Sequence, residues 1–253
     1  LRPQEIGLAA SIGCGHLPVM VPLKVAVFST GNEVLDPGDS LFKGAIYDSN
    51  RFTLMQLLKS VGCEVNDLGI LEDDPKIIAD ALLSASTECD LILTSGGVST
   101  GEEDHVRKVV EKEGSLFFWR LAIKPGRPVA LGQINDTVFI GLPGNPVAAM
   151  VTFLQIARPI ILKLSGANDS VPKSFLVQSN FSYKKKLNRR EYVRVQVKQN
   201  GNGKLTAEKC IKEGAGILSS MVFADGFVEL SEDIVNVEKG DFVNYIPFSE
   251  LGL

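Results

Sequence analysis

The sequence predicts an α/β chain: an open, mostly parallel sheet with helices on both faces, followed by a small all-β unit. Between Pro22 and Ala167, continuous apolar and β-branched runs alternate with segments of helical apolar spacing, the mark of repeated βα units. Beyond Val171 that spacing ends, and short stretches alternate polar with apolar or β-branched residues between turn signals. The 253 residues are enough for two domains, and 45% apolar with 22% charged residues is an ordinary folded composition.

The elements follow in order. LRPQEIGLAASIG reads as a short helix, with Pro3 in its first turn and Ile6, Leu8, Ala9 and Ile12 offering an apolar face. The chain starts without methionine, and residues 1–22 read as the end of a preceding domain or linker, so an N-terminal portion is expected to be missing from this polypeptide. LKVAVFS is a buried parallel strand, and TGNE turns the chain. NRFTLMQLLKSVG carries leucines and Met55 at helical spacing and closes on Gly62. CEVNDLGIL is the next strand; in EDDPKIIADALLSAS, Asp74 caps a helix that Pro75 opens. DLILTSGG is a third strand and EEDHVRKVVEKEG a third helix. FFWRLAIKPGRPVALGQI and TVFIGLPGNP supply further strands. PVAAMVTFLQIARPIILKLSG is a long apolar helix that Pro159 is expected to kink or split. SFLVQSNFSY, REYVRVQVKQ, KLTAEKC, GFVELSED and DFVNYIPF then read as the short strands of a barrel or sandwich, with turns at NGNG and EKGD.

Composition narrows the function. A net charge of −4 and a pI near 5.4 speak against a general nucleic-acid binder. No apolar stretch approaches the roughly 20 residues that span a bilayer, and there is no signal-peptide pattern. Cys14, Cys63, Cys89 and Cys210 are scattered, with no CxxC pair; they read as reduced, mostly buried thiols of a cytoplasmic protein, with Cys14 and Cys63 structural. The run KKKLNRR (184–190) reads first as a solvated surface and second as an anion-attracting rim.

In open α/β sheets, ligands bind beyond the carboxyl ends of the strands. Four unusual loops are expected there: TGNE, EDDP, SGGVSTGEED and LPGNP. Gly96, Gly97 and Gly101 let backbone N–H groups approach an oxyanion. Asn145 as N-cap and Pro146 as first helical residue would leave further N–H groups facing the same pocket. The plain alternative is a set of tight βα turns. Neither GxxxxGK[ST] nor GxGxxG is present, which weakens nucleoside triphosphate and dinucleotide readings. Glu33, Asp73, Asp74 and Asp104 lie in or beside these loops. Singly, such acids only complement helix dipoles; beside a phosphate cradle, together, they favour a hard divalent cation such as magnesium. Arg120, Lys124 and Arg127 cluster around a Pro125-Gly126 turn. His105 reads as a surface residue and Trp119 as a packing one.

FSTGNEVL, IYDSNR, LGILEDDP, TSGGVSTGEED, LAIKPGRP and GLPGNPVAA occur in this order. Together they closely resemble the molybdopterin molybdenumtransferase family, the MoeA proteins and the E domain of gephyrin, from about Leu1 to Phe248. The resemblance implies a three-layer αβα molybdopterin-binding domain at 23–167, a C-terminal β-barrel domain at 168–253, and further N-terminal domains with catalytic residues of their own. It implies a Mg2+-dependent transferase that takes adenylylated molybdopterin and molybdate, cleaves the phosphoanhydride, inserts molybdenum into the dithiolene and releases AMP. It further implies a homodimer, and other molybdenum cofactor biosynthesis proteins as partners.

The site residues it implies are these. Glu33, Asp73 and Asp104 line the pocket, with Asp73 and Asp104 holding magnesium against the phosphates and Glu33 orienting the pterin or the attacking group. Thr30, Gly31, Ser95, Gly96, Gly97, Ser99, Gly101, Gly144, Asn145 and Pro146 cradle the pterin and its phosphate. Lys124, beside Pro125, binds molybdate with Arg194, and Ser219 is a weaker candidate; cations with hydroxyl donors suit a dianion of four acceptor oxygens. Two positions depart from the family: Arg120 stands where lysine is frequent, and Ala215 where a serine is common. Rival readings are a molybdopterin adenylyltransferase, a gephyrin-like scaffold, and a binding-competent piece without turnover. The β-rich tail and LAIKPGRP count against the first, and no receptor-type signal supports the second.

Overall fold

The computed structural model describes residues 1–98, 105–199 and 201–253, with Trp119 by its backbone alone. The chain runs through α1 (Pro3–Ser11), β1 (Lys24–Thr30), the two-residue strands β2 (Val34–Leu35) and β3 (Ile46–Tyr47), α2 (Asn50–Ser60), β4 (Glu64–Leu71), α3 (Pro75–Glu88) and β5 (Leu91–Ser95). Then come α4 (His105–Glu113), β6 (Ser115–Arg120), β7 (Ile123–Lys124), β8 (Pro128–Ile134) and β9 (Thr137–Leu142). A six-stranded sheet has the order β4-β1-β5-β9-β8-β6. The first four strands are parallel, and β8 runs antiparallel to both β9 and β6.

The strands β1 and β5 are buried on both faces, as unbroken apolar runs require. Successive residues serve opposite faces. Val25, Val27, Leu91 and Leu93 join the core under α2, while Ala26, Phe28 and Ile92 join the one under α3 and α4. Asp74 caps α3 as expected, accepting from the backbone N–H groups of Lys76 and Ile77.

The long apolar helix neither breaks nor sharply ends at Pro159. It passes from α5 (Pro146–Thr152) through a π turn at Phe153–Ala157 into α6 (Arg158–Leu164). Pro159 offers no N–H; just before it, the Arg158 N–H reaches back five residues to Phe153 O. As one 19-residue run, Pro146–Leu164 is long and apolar enough to cross a membrane, contrary to the expectation from the sequence. It is instead packed into the core through residues such as Val151, Phe153, Leu154 and Ile161.

The tail forms β10 (Phe175–Ser179), β11 (Tyr183–Lys184), β12 (Arg190–Gln199), β13 (Leu205–Lys209), α7 (Ser219–Val222), β14 (Gly226–Leu230), β15 (Asn236–Val237) and β16 (Phe242–Pro247). The order β13-β10-β16-β14-β12 closes through β12–β13 pairing into a five-stranded barrel. Val177, Val193, Val195, Val228 and Val243 fill it. The alternating residues Tyr192, Phe227 and Ile246 point the other way, into the same core as α2, α5 and α6. The two-residue β7 leaves the first sheet and pairs with β12, setting Lys124 opposite Glu191.

Three local expectations are corrected. The apolar face of α1 is not packed: Ile6, Leu8 and Ile12 are exposed and the helix buries no residue. The basic run is neither a simply solvated face nor a free rim. Lys185 is buried, donating to Lys186 O and Glu232 O; Arg189 pairs with Glu191; Arg190 pairs with Glu229 and Glu232. Cys14 is exposed and Cys210 half-buried, whereas Cys63 and Cys89 are buried.

Candidate functional site: two adjoining cavities

IYDSNR builds the first wall. The Asp48 carboxylate accepts from the Arg51 N–H at 3.0 Å and caps the start of α2. Arg51 is itself buried and pairs with Asp48 at 3.1 Å, with Asp67 of β4 at 2.5 Å and with Asp36. One guanidinium therefore fastens the β2–β3 excursion to the sheet. Asn50 does a second job. Its Nδ2 donates to Ser95 Oγ and to Gly144 O, both at 2.7 Å, while Ser95 Oγ donates to Pro143 O at 3.2 Å. The ends of β5 and β9 are thus clamped together.

Above this clamp lies a cavity of about 780 Å³, lined among others by Thr30, Gly31, Glu33, Asp73, Ser95, Gly96, Gly97, Gly144, Asn145 and Pro146. Thr30 Oγ1 donates to Asp73 Oδ1 at a long 3.5 Å. Gly97 has φ +64°, and a Cβ there would lie 2.4 Å from Val106 Cγ2 and 2.9 Å from Thr30 Cγ2. Only glycine lets the end of β5 pass so close to α4. Ser99, Gly101 and Asp104 lie outside the described residues.

Two sources of anion attraction expected here are already engaged. The Gly96 N–H donates to Leu142 O at 3.1 Å, and the Val147 N–H donates to Ala215 O at 2.9 Å. Asn145 stands at the N-cap of α5 but makes no side-chain capping bond. One backbone donor at the start of α5 therefore ties the barrel loop to the helix rather than facing a ligand.

The cations gather elsewhere. A second cavity, of about 230 Å³, lies where β7 meets the barrel. It is lined by Lys124 and Pro125 from one side and by Tyr183, Glu191, Arg194 and Lys209 from the other. Lys124 Nζ donates to Tyr183 OH at 3.1 Å and lies 3.4 Å from Glu191 Oε2; Tyr183 OH donates to the same carboxylate oxygen at 2.8 Å. Burial alone would lower the Lys124 pKa, but Tyr183 and Glu191 hold it above the usual lysine value. Burial would raise that of Glu191, but hydrogen bonds from Tyr183 and Arg189 and the charge of Lys124 keep it below the usual carboxylate value. Burial pulls the Arg194 guanidinium down, and its Nη1 donates to Gly214 O at 3.1 Å.

The two cavities share Pro128, Pro143 and Asn145 as a common wall. Gly214 and Ala215 line the smaller and Gly216 the larger, so one barrel loop completes the partition. Asp73 and Lys124 therefore lie on opposite sides of this wall. Ser219 starts α7 and lines neither cavity; nor do Arg120 and Arg127. His105 is half-buried rather than a surface residue, with Nδ1 buried and unpartnered among the described residues. Asn50, Tyr183, Glu191 and Lys209 were absent from the sequence-based site. Asn50 sat unremarked inside IYDSNR; no local pattern marks Tyr183 or Lys209.

Residues 26–163 match the family described as "Probable molybdopterin binding domain", and residues 177–248 match "MoeA C-terminal region (domain IV)". A molybdopterin molybdenumtransferase from Haemophilus influenzae is 39% identical over 99% of this chain and 62% of its own length. A molybdopterin molybdenumtransferase 2 from Mycobacterium tuberculosis is 30% identical over 95% of this chain and 60% of its own. The crystal structure of a molybdopterin biosynthesis MoeA protein from Pyrococcus horikosii superposes with a TM-score of 0.81 at 28% identity, covering 98% of this chain and 60% of that one. The chain thus spans about three fifths of the length of these relatives. With both regions matched in order and the same fold, the chain belongs to the MoeA family.

Proposed function

We propose that the chain is the molybdopterin-handling part of an enzyme that inserts molybdenum into adenylylated molybdopterin and releases AMP. The observation that carries this reading is the meeting of two unlike cavities at one thin wall. The larger is within the size range of small-molecule sites and offers hydroxyls, an amide and the carboxylates of Glu33 and Asp73 to a pterin and its phosphates. The smaller offers Lys124, Arg194 and Lys209 to a compact dianion such as molybdate. Residues 23–167 hold the first cavity, and the barrel at 168–253 completes the second.

Magnesium suits the donor set. It binds through one or two carboxylates plus phosphate oxygens and keeps several waters. No three-membered acid, histidine or cysteine cluster occurs among the described residues, and none is needed. Asp73 and Asp104 would hold the ion, which when bound neutralises charge on the phosphates. Glu33 orients the pterin. Asn50 and Ser95 keep the floor rigid, and Lys124 and Arg194 present the oxyanion across the wall. Catalysis in this reading is positioning and charge stabilisation. A homodimer, other molybdenum cofactor biosynthesis proteins as partners and a cytoplasmic setting complete the proposal.

The test follows AMP release when molybdate is added to adenylylated molybdopterin and the full-length protein, with and without magnesium. Asp73→Asn and Lys124→Ala should each lower the rate by about a hundredfold, the scale of one lost preorganised electrostatic contact. Near-normal rates in both sink the assignment. ATP consumption in place of AMP release would point to the adenylyltransferase, which the barrel's contribution of Arg194 and Lys209 disfavours.

A further inference from the structure

We infer that Tyr183 and Glu191 are positioning residues of the smaller cavity: they hold the Lys124 and Lys209 ammonium groups apart and aimed, as a clamp for a tetrahedral dianion. The inference rests on the reading of that cavity as the molybdate subsite.

A buried carboxylate is an unexpected wall for an anion site. Glu191 is 1% exposed and lines the cavity, so its charge opposes any dianion placed there. Its surroundings explain it. Strand pairing sets Glu191 opposite Lys124. Its oxygens accept from Tyr183 OH at 2.8 Å and Arg189 Nε at 2.9 Å, and Lys124 Nζ lies 3.4 Å away. The negative charge is thereby matched from three directions.

Tyr183 links the parts. Its hydroxyl accepts from Lys124 Nζ and donates to Glu191, so one phenol fixes both the ammonium and the carboxylate. Its ring also faces a cation: Lys209 Nζ is 5.3 Å from the ring centroid, within cation–π range, whereas Lys124 Nζ sits at the hydroxyl rim. Lys209 is tethered further by Glu213. An ammonium has three donors. With Tyr183 OH taking one from Lys124 and Glu191 pairing with its charge at 3.4 Å, donors remain for a ligand. The other titratable groups on the cavity wall are Tyr192, Arg194 and Cys210; burial raises the first and the third, and the second is held by Gly214 O.

Positioning and simple electrostatics predict opposite signs. If only net charge mattered, Glu191→Gln would tighten dianion binding by removing a negative charge. If Glu191 aims Lys124, the same change loosens it. The experiment titrates molybdate into the full-length protein and its Tyr183→Phe, Glu191→Gln and Lys124→Ala variants by calorimetry, from pH 7 to pH 11. Urea unfolding of each variant checks the fold. Tyr183→Phe and Glu191→Gln should each weaken molybdate about tenfold, the scale of one lost hydrogen bond to a charged group. In Tyr183→Phe the affinity should also fall at a lower pH on the alkaline side, because Lys124 loses the phenol that keeps it protonated.

Tighter binding by Glu191→Gln overturns the inference. So does an unmoved alkaline limb in Tyr183→Phe, which decides the matter even if Glu191→Gln fails to fold. If Lys124→Ala binds molybdate as well as the unaltered protein, or the unaltered protein binds none, the molybdate reading itself falls and the inference with it.

Discussion

Arg51 shows how much one side chain can carry here. It is 4% exposed and engages carboxylates from three segments: Asp36, Asp48 and Asp67. Removing it leaves the Asp48 carboxylate buried beside no cation, a change that costs about 3–5 kcal/mol. Arg51→Ala should therefore lower the urea midpoint strongly, and it should also loosen the wall that carries Tyr47 and Asn50. Glu191 gives a pH signature. Its folded pKa lies below the ordinary value of 4.5. The stability it contributes is therefore present above that value and is lost as the pH falls below it towards the folded pKa. Denaturation curves between pH 6 and pH 3 should fall less steeply in Glu191→Gln; an unchanged slope would contradict the network. At this scale the sequence was a partial guide. Glu33 and Asp73 stand out as acids in βα loops, and both line the larger cavity. Tyr183 and Glu191 matter only because β7, β11 and β12 meet, and no local spacing records that meeting.

Elements were more legible than their partners. The βα units follow from local periodicity, so β1, α2, β4, α3 and β5 fall where the apolar pattern puts them. Periodicity cannot say what a two-residue strand will pair with, and β7 joins the barrel instead of the sheet that precedes and follows it. Nor can it foresee that the helix beginning at Pro146 absorbs Pro159 in a π turn. The turn after β7 depends on a close approach. Gly126 has φ +105°, and a Cβ there would lie 2.2 Å from Thr152 Cγ2 on α5. Gly126→Ala combines backbone strain with overpacking, each worth about 1–3 kcal/mol. It should lower the thermal midpoint and, by lifting the turn from α5, weaken molybdate binding together with Lys124. A variant as stable as the parent would show that the turn relaxes freely.

The whole molecule behaves as one packed body despite its two large sheets. The core that contains Val25, Leu54 and Leu93 also contains Tyr192, Phe227 and Ile246 of the barrel. The rings of Phe227 and Phe248 meet edge to face at 5.0 Å within that junction. Fully burying such side chains contributes about 1.5–3 kcal/mol each, so neither half can leave without exposing the other. Hydrogen exchange should therefore report similar opening free energies for the amides of Leu93 and Val228. A barrel amide that exchanges by a much cheaper route would show independent unfolding. The expectation of a sheet followed by a barrel described the architecture, but this shared interior was invisible in the sequence, because even Leu93 and Tyr192 are 99 positions apart.

The brief excursion of β7 has an evolutionary corollary. Its lysine is encoded in the first half of the chain, yet its phenolic and carboxylate companions are encoded in the second. A chimera that borrowed its tail from a distant cousin would strand that lysine unless the donor happened to supply matching companions. The two halves are therefore bound to be inherited as a matched set, and recombination between lineages is constrained at a seam that a domain map would mark as harmless.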